Sequence, residues 1–174
     1  MAKDNPYSFL HVKKPEIDLP ESTDPYSEIV YQKGRQNLDK FISNGWLQQD
    51  TASRFYIYSQ QMEGLTQYGL MCQSSIADYE QNKIKKHEKT LLHKEQDRTM
   101  LTDKLSANVG PVFLTYKSSE NRSIKDRITS ITTLAQAETH VTKFMDQTQK
   151  PVEHRIWKVD PSENDFFTNE FKKV

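Results

Sequence analysis

The strongest indication of the fold is a β-hairpin pattern near the middle of the chain. Residues 55–58 are all aromatic or β-branched, and such side chains favour strands because they pack well on a half-buried pleated surface. Glu63-Gly64 follows as a turn signal, and residues 66–76 are predicted to form the returning strand. Residues 154–159 partly alternate polar and apolar side chains, as a half-buried strand does. The sequence therefore predicts an antiparallel hairpin and at least one further strand.

Helical patterns precede and follow the hairpin. Asp24-Pro25 supplies a cap and a first-turn proline, and Asn44-Gly45 provides the matching end signal. A second helix is predicted to run from Thr90, as its cap, to about Ala107. Strands in hairpin order with helices inserted predict an α+β fold, with a mostly antiparallel or mixed sheet and helices packed against it. The other expected segments are an extended stretch at 5–12, a buried strand at 112–116, and helices at 121–128, at 135–147 and after Pro161.

Composition limits the size of the core and the class of partner. The chain has 174 residues, of which 34% are hydrophobic and 28% charged, so we expect one domain with a modest core. Its predicted parts are an α+β core at residues 5–116 and a C-terminal part of the same domain at 117–174. Lys+Arg 24 balances Asp+Glu 24, which leaves no global field to attract nucleic acid.

Three features of the sequence bear on the cellular location of the protein. The single cysteine fits a reducing compartment, because a disulfide bond would need a second one. No apolar run reaches the roughly 20 residues of a membrane helix, and the first residues lack the apolar centre of a signal peptide. We therefore expect a cytoplasmic protein without a membrane partner.

The segment 86–98 carries the densest collection of reactive side chains. Its thirteen positions hold two histidines, three acids and four basic residues, with only two leucines for the core. A cluster of this kind can hold a phosphate, transfer a proton, or lie in solvent as a charged helix face held by surface ion pairs worth about 0–1 kcal/mol each. The sequence alone leaves these alternatives open.

The spacing within this segment favours an anion site if it is helical. Lys94 and Arg98 are four residues apart and share one face, where they would repel each other unless an anion or nearby acids offset their charge. The amides of the first turn would add donors to a phosphate, and Glu88 or Glu95 would be the general base toward a hydroxyl. The candidate residues are His87, Glu88 and Glu95 as catalytic groups, Lys94 and Arg98 as phosphate ligands, and His93 and Asp97 in support.

Other recognisable machinery is missing from the sequence. The histidines of the cluster do not have the His-Glu-x-x-His spacing of a zinc helix, and no cysteine lies nearby to complete a tetrahedral site. We therefore assign no metal to the protein side chains. Magnesium brought by a nucleotide would need fewer protein ligands, so a nucleotide with magnesium is the cofactor that the phosphate hypothesis would require. There is no phosphate-binding glycine loop, no dinucleotide fingerprint and no nucleophile elbow.

Several segments together resemble a bacterial and archaeal family, the one catalogued as domain of unknown function 1015. The resemblance begins at residues 5–12 and 15–20 and continues through Ile84-Lys85-Lys86-His87-Glu88. It includes Lys94-Glu95-x-Asp97-Arg98 and Asn108-x-Gly110-Pro111-Val112-Phe113-Leu114. These blocks span most of residues 5–116 in the expected order, whereas residues 117–174 match loosely.

The resemblance implies a longer parent protein and suggests three kinds of function. Full-length members resemble, in a later segment, the Asp-Gly-His-His-Arg loop of ParB-like nucleotide-binding proteins, so this chain is expected to be a fragment. By that analogy it is an incomplete phosphate-handling domain of a nucleotide-dependent phosphotransferase that acts on a small metabolite. Its partners would be a phosphorylated metabolite or nucleotide and the remainder of the parent chain. The alternatives are a ParB-like DNA-associated protein, which the zero net charge disfavours, and a non-enzymatic assembly module that docks through Trp157, Phe166 and Phe167.

Overall fold

The structure is a computed structural model that describes residues 2–86, 89–117, 122–134, 142–145 and 151–173. The chain divides into two compact units, which are Met1–Gln49 with Ala77–Val112 and Asp50–Ile76 with Phe113–Val174. One unit is helical and the other contains an antiparallel sheet, so the fold is α+β as the sequence predicts. The division of the domain near residue 116 stays a prediction.

Helices form the regular structure of the first unit. The longest is the second helix, which ends with Asn44 as its C-cap and with Gly45 at a φ of 70°, a left-handed conformation that glycine adopts without strain. The predicted end of that helix is therefore confirmed. The helices in or at the boundary of this unit are α1 (Leu10–Lys13), α2 (Glu28–Ser43), α3 (Ile76–Glu80) and α4 (Leu92–Leu105), with short 3-10 helices at Ala2–Asp4 and Pro15–Asp18.

The starts of these helices differ from the predicted ones. α2 begins at Glu28 rather than beside Asp24, because the Asp24 carboxylate accepts a hydrogen bond from the Tyr26 amide at 3.0 Å and forms a turn ahead of the helix. The predicted extended stretch at 5–12 is wrong, since its last residues belong to α1. Thr90 does not cap α4: Leu91 is the N-cap residue, without a side-chain cap.

A hydrophobic cluster and a buried polar network hold the first unit together. The imidazole of His11 contacts the Asp18 carboxylate at 2.8 Å and the Asn5 carbonyl at 3.0 Å. The Asn37 amide donates to both the Asp18 carboxylate and the His11 carbonyl. His11 is thus a hydrogen-bonded core histidine. The buried hydrophobic residues of this cluster are Val12, Tyr31, Leu38, Phe41, Leu101 and Leu105.

The second unit is built on an antiparallel sheet with strand order β2-β1-β4-β3. Ile57 pairs with Leu70 on one side and with Trp157 on the other. The predicted hairpin around Glu63-Gly64 is confirmed, but its returning strand ends at Met71 rather than at Ile76. The strand predicted at 154–159 is confirmed up to residue 158, and it begins earlier, at Pro151. The elements are β1 (Tyr56–Met62), β2 (Leu65–Met71), α5 (Arg122–Leu134), β3 (Thr142–Met145), β4 (Pro151–Lys158) and α6 (Asn164–Phe171).

The core of the second unit overturns the predicted assembly face. Trp157 is 5% exposed and Phe167 is fully buried, because both pack with residues of β1 and α5 rather than facing solvent. Phe166 packs against the same cluster and is only partly buried. A docking face centred on these aromatic residues is therefore wrong. The buried members of the cluster are Ile57, Ile124, Ile128, Trp157, Val159 and Phe167.

Three further predictions fail in the region after α4. Residues 112–116 form no strand, and Val112 and Phe113 are 81% and 78% exposed. The helix α5 continues through the threonine-rich segment to Leu134, and the Thr132 and Thr133 hydroxyls there donate to carbonyls of the preceding turn. The helix predicted at 135–147 is contradicted at Thr142–Met145, which is strand β3; the rest of it lies outside the described residues.

Candidate anion-binding site

The exposed face of α4 lines an open concavity with a volume of about 900 Å³. Lys94 and Arg98, one helical turn apart, both line it, and Glu95 lies between them in sequence. The shared face that the sequence predicts for the two basic side chains is therefore present, and both residues are exposed there. The lining residues are Lys89, Thr90, Leu91, Lys94, Glu95, Arg98, Thr99, Thr102 and Asp103.

A smaller cleft of about 120 Å³ adjoins the same two basic residues. Lys94 and Arg98 line both spaces, so they stand between the large concavity and the small cleft. The opposite side of the cleft comes from the segment around Pro15 and from the start of α2. The lining residues are Lys14, Pro15, Glu16, Pro25, Tyr26, Val30, Tyr31, Lys94, Asp97, Arg98 and Leu101.

The guanidinium of Arg98 is held by a buried carboxylate. Its Nε and Nη2 atoms donate to Oδ2 of Asp97 at 3.0 and 2.5 Å, and the Asp97 side chain is only 9% exposed. The other carboxylate oxygen, Oδ1, accepts a hydrogen bond from the Tyr31 hydroxyl at 3.1 Å. A buried charge must be paired and hydrogen-bonded to be tolerated. Arg98 pairs with the charge of Asp97, and Tyr31 donates a further hydrogen bond to it. The position of the Arg98 head group is therefore fixed from inside the unit.

The phenol of Tyr31 stays protonated in this arrangement. Burial, and then the hydrogen bond to Asp97, raises the pKa of Tyr31 above 10.0. A neutral phenol can donate its proton, whereas a phenolate beside Asp97 would repel the carboxylate. Tyr31 therefore acts as a hydrogen-bond donor throughout the physiological range of pH.

Lys94 is positioned by a different tyrosine. Its Nζ atom donates to the Tyr26 hydroxyl at 3.0 Å and lies 5.5 Å from the centre of the Tyr26 ring. This hydrogen bond is the main reason that the pKa of Lys94 is raised above its usual value. The ammonium group is thus cationic at neutral pH and directed toward the cleft that Tyr26 also lines.

Glu95 lines the large concavity. Its side chain is oriented by Thr90, the residue that the sequence predicts as the cap of α4. The Thr90 hydroxyl donates to Oε2 of Glu95 at 3.0 Å. A carboxylate can accept several hydrogen bonds, so the other oxygen, Oε1, can still accept one from a bound molecule. The structure brings together Lys94, Glu95 and Arg98, three of the predicted site residues, at one concavity.

The remaining predicted residues take other positions or cannot be placed. His93 is exposed and lines neither of these two spaces. His87 and Glu88 lie outside the described residues. Within the described ranges, no group of three or more His, Cys, Asp or Glu side chains is arranged to hold a metal ion. Cys72 is exposed and lies one residue after the end of β2.

Sequence reasoning missed the residues that complete the site from a distance. Tyr26 and Tyr31 reach it from before and within α2, and Lys14 reaches it from the start of the 3-10 helix at Pro15–Asp18. The hydrogen bonds from Lys94 to Tyr26 and from Tyr31 to Asp97 span 68 and 66 residues of sequence. No local sequence pattern can indicate a contact between residues that are so far apart in the chain.

Comparison with known proteins identifies a family but no characterised relative. The family model described as "Protein of unknown function (DUF1015)" matches residues 1–174. No curated protein and no solved structure matches the chain. Among the helices that the structure describes, none has the length and apolar character needed to cross a membrane.

Proposed function

The chain belongs to the DUF1015 family of proteins of unknown function, and we propose that its helical unit binds the phosphate group of a small metabolite or nucleotide. The observation that carries this proposal is the position of Lys94 and Arg98, which line both the large concavity and the small cleft. Asp97 already pairs with Arg98, so an anion would be attracted mainly by the Lys94 ammonium, with Arg98 adding those guanidinium N–H groups that do not bind Asp97. Charge-assisted hydrogen bonds from lysine and arginine to phosphate are also among the strongest that proteins form.

The way in which the two cations are held also supports the proposal. The Arg98 guanidinium donates hydrogen bonds to a buried carboxylate, and the Lys94 ammonium donates one to a tyrosine hydroxyl. Both head groups therefore have defined positions before a ligand binds. Fixed positions reduce the entropy that binding must overcome.

Glu95 extends the proposal from binding to reaction. We assign it the role of general base, which would remove the proton from a substrate hydroxyl that attacks a phosphoryl group. Its carboxylate lines the same concavity as Lys94 and Arg98, and the Thr90 hydroxyl orients it. A nucleotide with magnesium would deliver the phosphoryl group, and the substrate would be a small hydroxylated metabolite.

A thermal-shift experiment tests the binding step. A ligand that binds the native state raises its melting temperature, so inorganic phosphate and adenosine 5′-monophosphate should each stabilise the wild type. Lys94→Gln and Arg98→Gln should lose most of this shift. Glu95→Gln should keep it, because removing a negative charge near the anion cannot weaken the attraction. Lys40→Gln, at an exposed position of α2, is the matched control. Equal shifts in all variants would refute the assigned roles.

A second candidate function, assembly without chemistry, has an observation of its own in the second unit. Strand β2 pairs with β1 on one side and is the outermost strand of the described sheet. Its seven residues carry no charge, and six of them are exposed. Natural proteins commonly protect such edges with charged side chains, and an uncharged edge is a template for pairing with another strand. This unit would then bind a partner through its sheet edge.

Sedimentation at several protein concentrations tests this alternative. A lysine in β2, introduced by Thr66→Lys, should lower the associated fraction, because a charge on an edge strand opposes strand pairing. Gln36→Lys, on the exposed side of α2, introduces the same charge elsewhere. A wild type that sediments as a monomer at all concentrations, with no other protein added, would show that the edge does not pair with itself.

A further inference from the structure

The large concavity beside Lys94 and Arg98 has a volume of about 900 Å³, whereas the small cleft has about 120 Å³. This difference in volume determines which part of a ligand each space can hold. Building on the proposed function, we infer that the ligand is an organic phosphate monoester, with its phosphate in the small cleft and its organic part in the large concavity. Lys94 and Arg98 line both spaces, so a molecule of this kind would pass between them. Inorganic phosphate would fill only one part of the site.

The small cleft accommodates a group of the size of a phosphate. Its volume of about 120 Å³ is much smaller than the 900 Å³ of the large concavity, so the bulkier organic part of a ligand fits the large concavity better. Lys14 joins Lys94 and Arg98 among the lining residues and brings a third cation to the cleft. The Tyr26 hydroxyl accepts a hydrogen bond from Lys94, and its own proton can be donated to a phosphate oxygen.

Two carboxylates also line the cleft, and they have different consequences. Asp97 is directed toward Arg98 and Tyr31, so its charge is already offset. Glu16 lies on the same lining, and its negative charge opposes a bound anion. Neutralising Glu16 should therefore strengthen phosphate binding, which is the opposite of the effect expected for Lys14.

The large concavity has the dimensions of an organic-ligand site. Pockets for small molecules usually have volumes of about 300–1,000 Å³, and this one has about 900 Å³. Beyond Lys94 and Arg98, its lining combines the charged side chains of Lys89, Glu95 and Asp103 with threonine hydroxyl groups and the apolar surface of Leu91. These side chains suit a polar, hydroxylated organic group that follows the phosphate.

Calorimetric titration of the full chain with two probes tests the inference. The probes are inorganic phosphate and adenosine 5′-monophosphate, and the monoester should bind at least about tenfold more tightly because it makes contacts in both spaces. Thr99→Trp places a bulky ring in the large concavity and should remove most of that advantage while leaving inorganic phosphate unchanged. Gln36→Trp, on the exposed side of α2, controls for the added ring, and circular dichroism verifies folding.

Charge variants of the small cleft complete the test. Lys14→Gln should weaken both probes by a similar factor, about tenfold, because both would place a phosphate there. Glu16→Gln should tighten both. Equal affinities of the wild type for the two probes, or an unchanged advantage of the monoester in Thr99→Trp, would overturn the two-part site while leaving phosphate binding intact. Absence of binding by either probe would instead overturn the proposed function and this inference together.

Discussion

The hydroxyl of Tyr31 donates a hydrogen bond to Oδ1 of Asp97 across 66 residues of sequence. This bond links α2 to α4 inside the first unit, and it joins the hydrophobic cluster to the candidate site, because Asp97 in turn holds the guanidinium of Arg98. The core of this unit thus fixes the position of one of the two cations that face the concavity. Stability and ligand binding are expected to be coupled through this contact.

Tyr31→Phe should destabilise the first unit. The substitution keeps the ring but removes a donor from a buried charged acceptor, which costs about 1.5–3 kcal/mol. Urea unfolding followed by circular dichroism measures the loss. The control is Tyr79→Phe, which removes a hydroxyl from a side chain that is 47% exposed and should change the free energy of unfolding by less than about 0.5 kcal/mol. A similar small change in both variants would show that the Tyr31–Asp97 bond contributes little.

Gly34→Ala should also destabilise the protein, for a steric reason. A Cβ atom at position 34 would lie 2.8 Å from Cγ of Pro15 and 3.3 Å from Cδ1 of Leu101. Overpacking of this kind costs about 1–3 kcal/mol, which outweighs the better helix propensity of alanine, about 1 kcal/mol. The matched control is Gly69→Ala, where a Cβ would meet nothing within 4 Å. Thermal unfolding should separate the two variants, and a Gly34→Ala protein as stable as the wild type would contradict the close approach of α2 to the 3-10 helix.

Acid should remove one contribution to the stability of the second unit, namely the hydrogen bond that the Tyr56 hydroxyl donates to Asp50. The hydrogen bond from the Tyr56 hydroxyl, followed by the contact with Lys158, lowers the pKa of Asp50 below 3.8. A carboxyl group whose pKa is lowered by folding stabilises the native state above its unfolded pKa, and this stabilisation disappears as the pH falls through the folded-state value. The wild type should therefore be more stable than Tyr56→Phe near neutral pH, and the difference should shrink below about pH 4.

Urea unfolding from about pH 2 to about pH 7 measures this difference. Tyr116→Phe is the control in the same unit, because its ring contact with Phe171 does not need the hydroxyl. Its difference from the wild type should not follow the titration of Asp50. If the Tyr56→Phe difference stays constant down to the lowest pH, the hydrogen bond to Asp50 does not contribute as described.

The fold could be predicted where local signals act alone. The hairpin follows from aromatic strand residues around Glu63-Gly64, and the end of α2 follows from Asn44-Gly45. Prediction failed where tertiary contacts, rather than the local sequence, determine the structure. Residues 112–116 look like a buried strand, yet Val112 and Phe113 are exposed, because an apolar run carries no information about whether another element covers it. The start of α2 was misplaced since an Asp-Pro pair fits a turn as well as a helix cap.

The candidate site was predictable only along α4. Helical spacing is enough to place Lys94 and Arg98 on one face, and the structure shows both at the same concavity. His93 and Asp97 are also four residues apart on α4, but Asp97 is buried against Tyr31 and Arg98 whereas His93 is exposed. Residues four apart on a helix can therefore have different surroundings. The tyrosines that hold the site could not be found from sequence, because tertiary packing brings them to α4.

The most direct test of the phosphate site is calorimetric titration of inorganic phosphate into the wild type and into the double variant Lys94→Gln/Arg98→Gln at low ionic strength. Low salt is required because screening weakens attraction between exposed charges. Both substitutions remove a charge and leave a shorter, uncharged side chain that can still form hydrogen bonds, and circular dichroism establishes that the variant is folded. We predict saturable binding by the wild type and none by the double variant. Equal binding by the two proteins, or none by the wild type, would contradict the account.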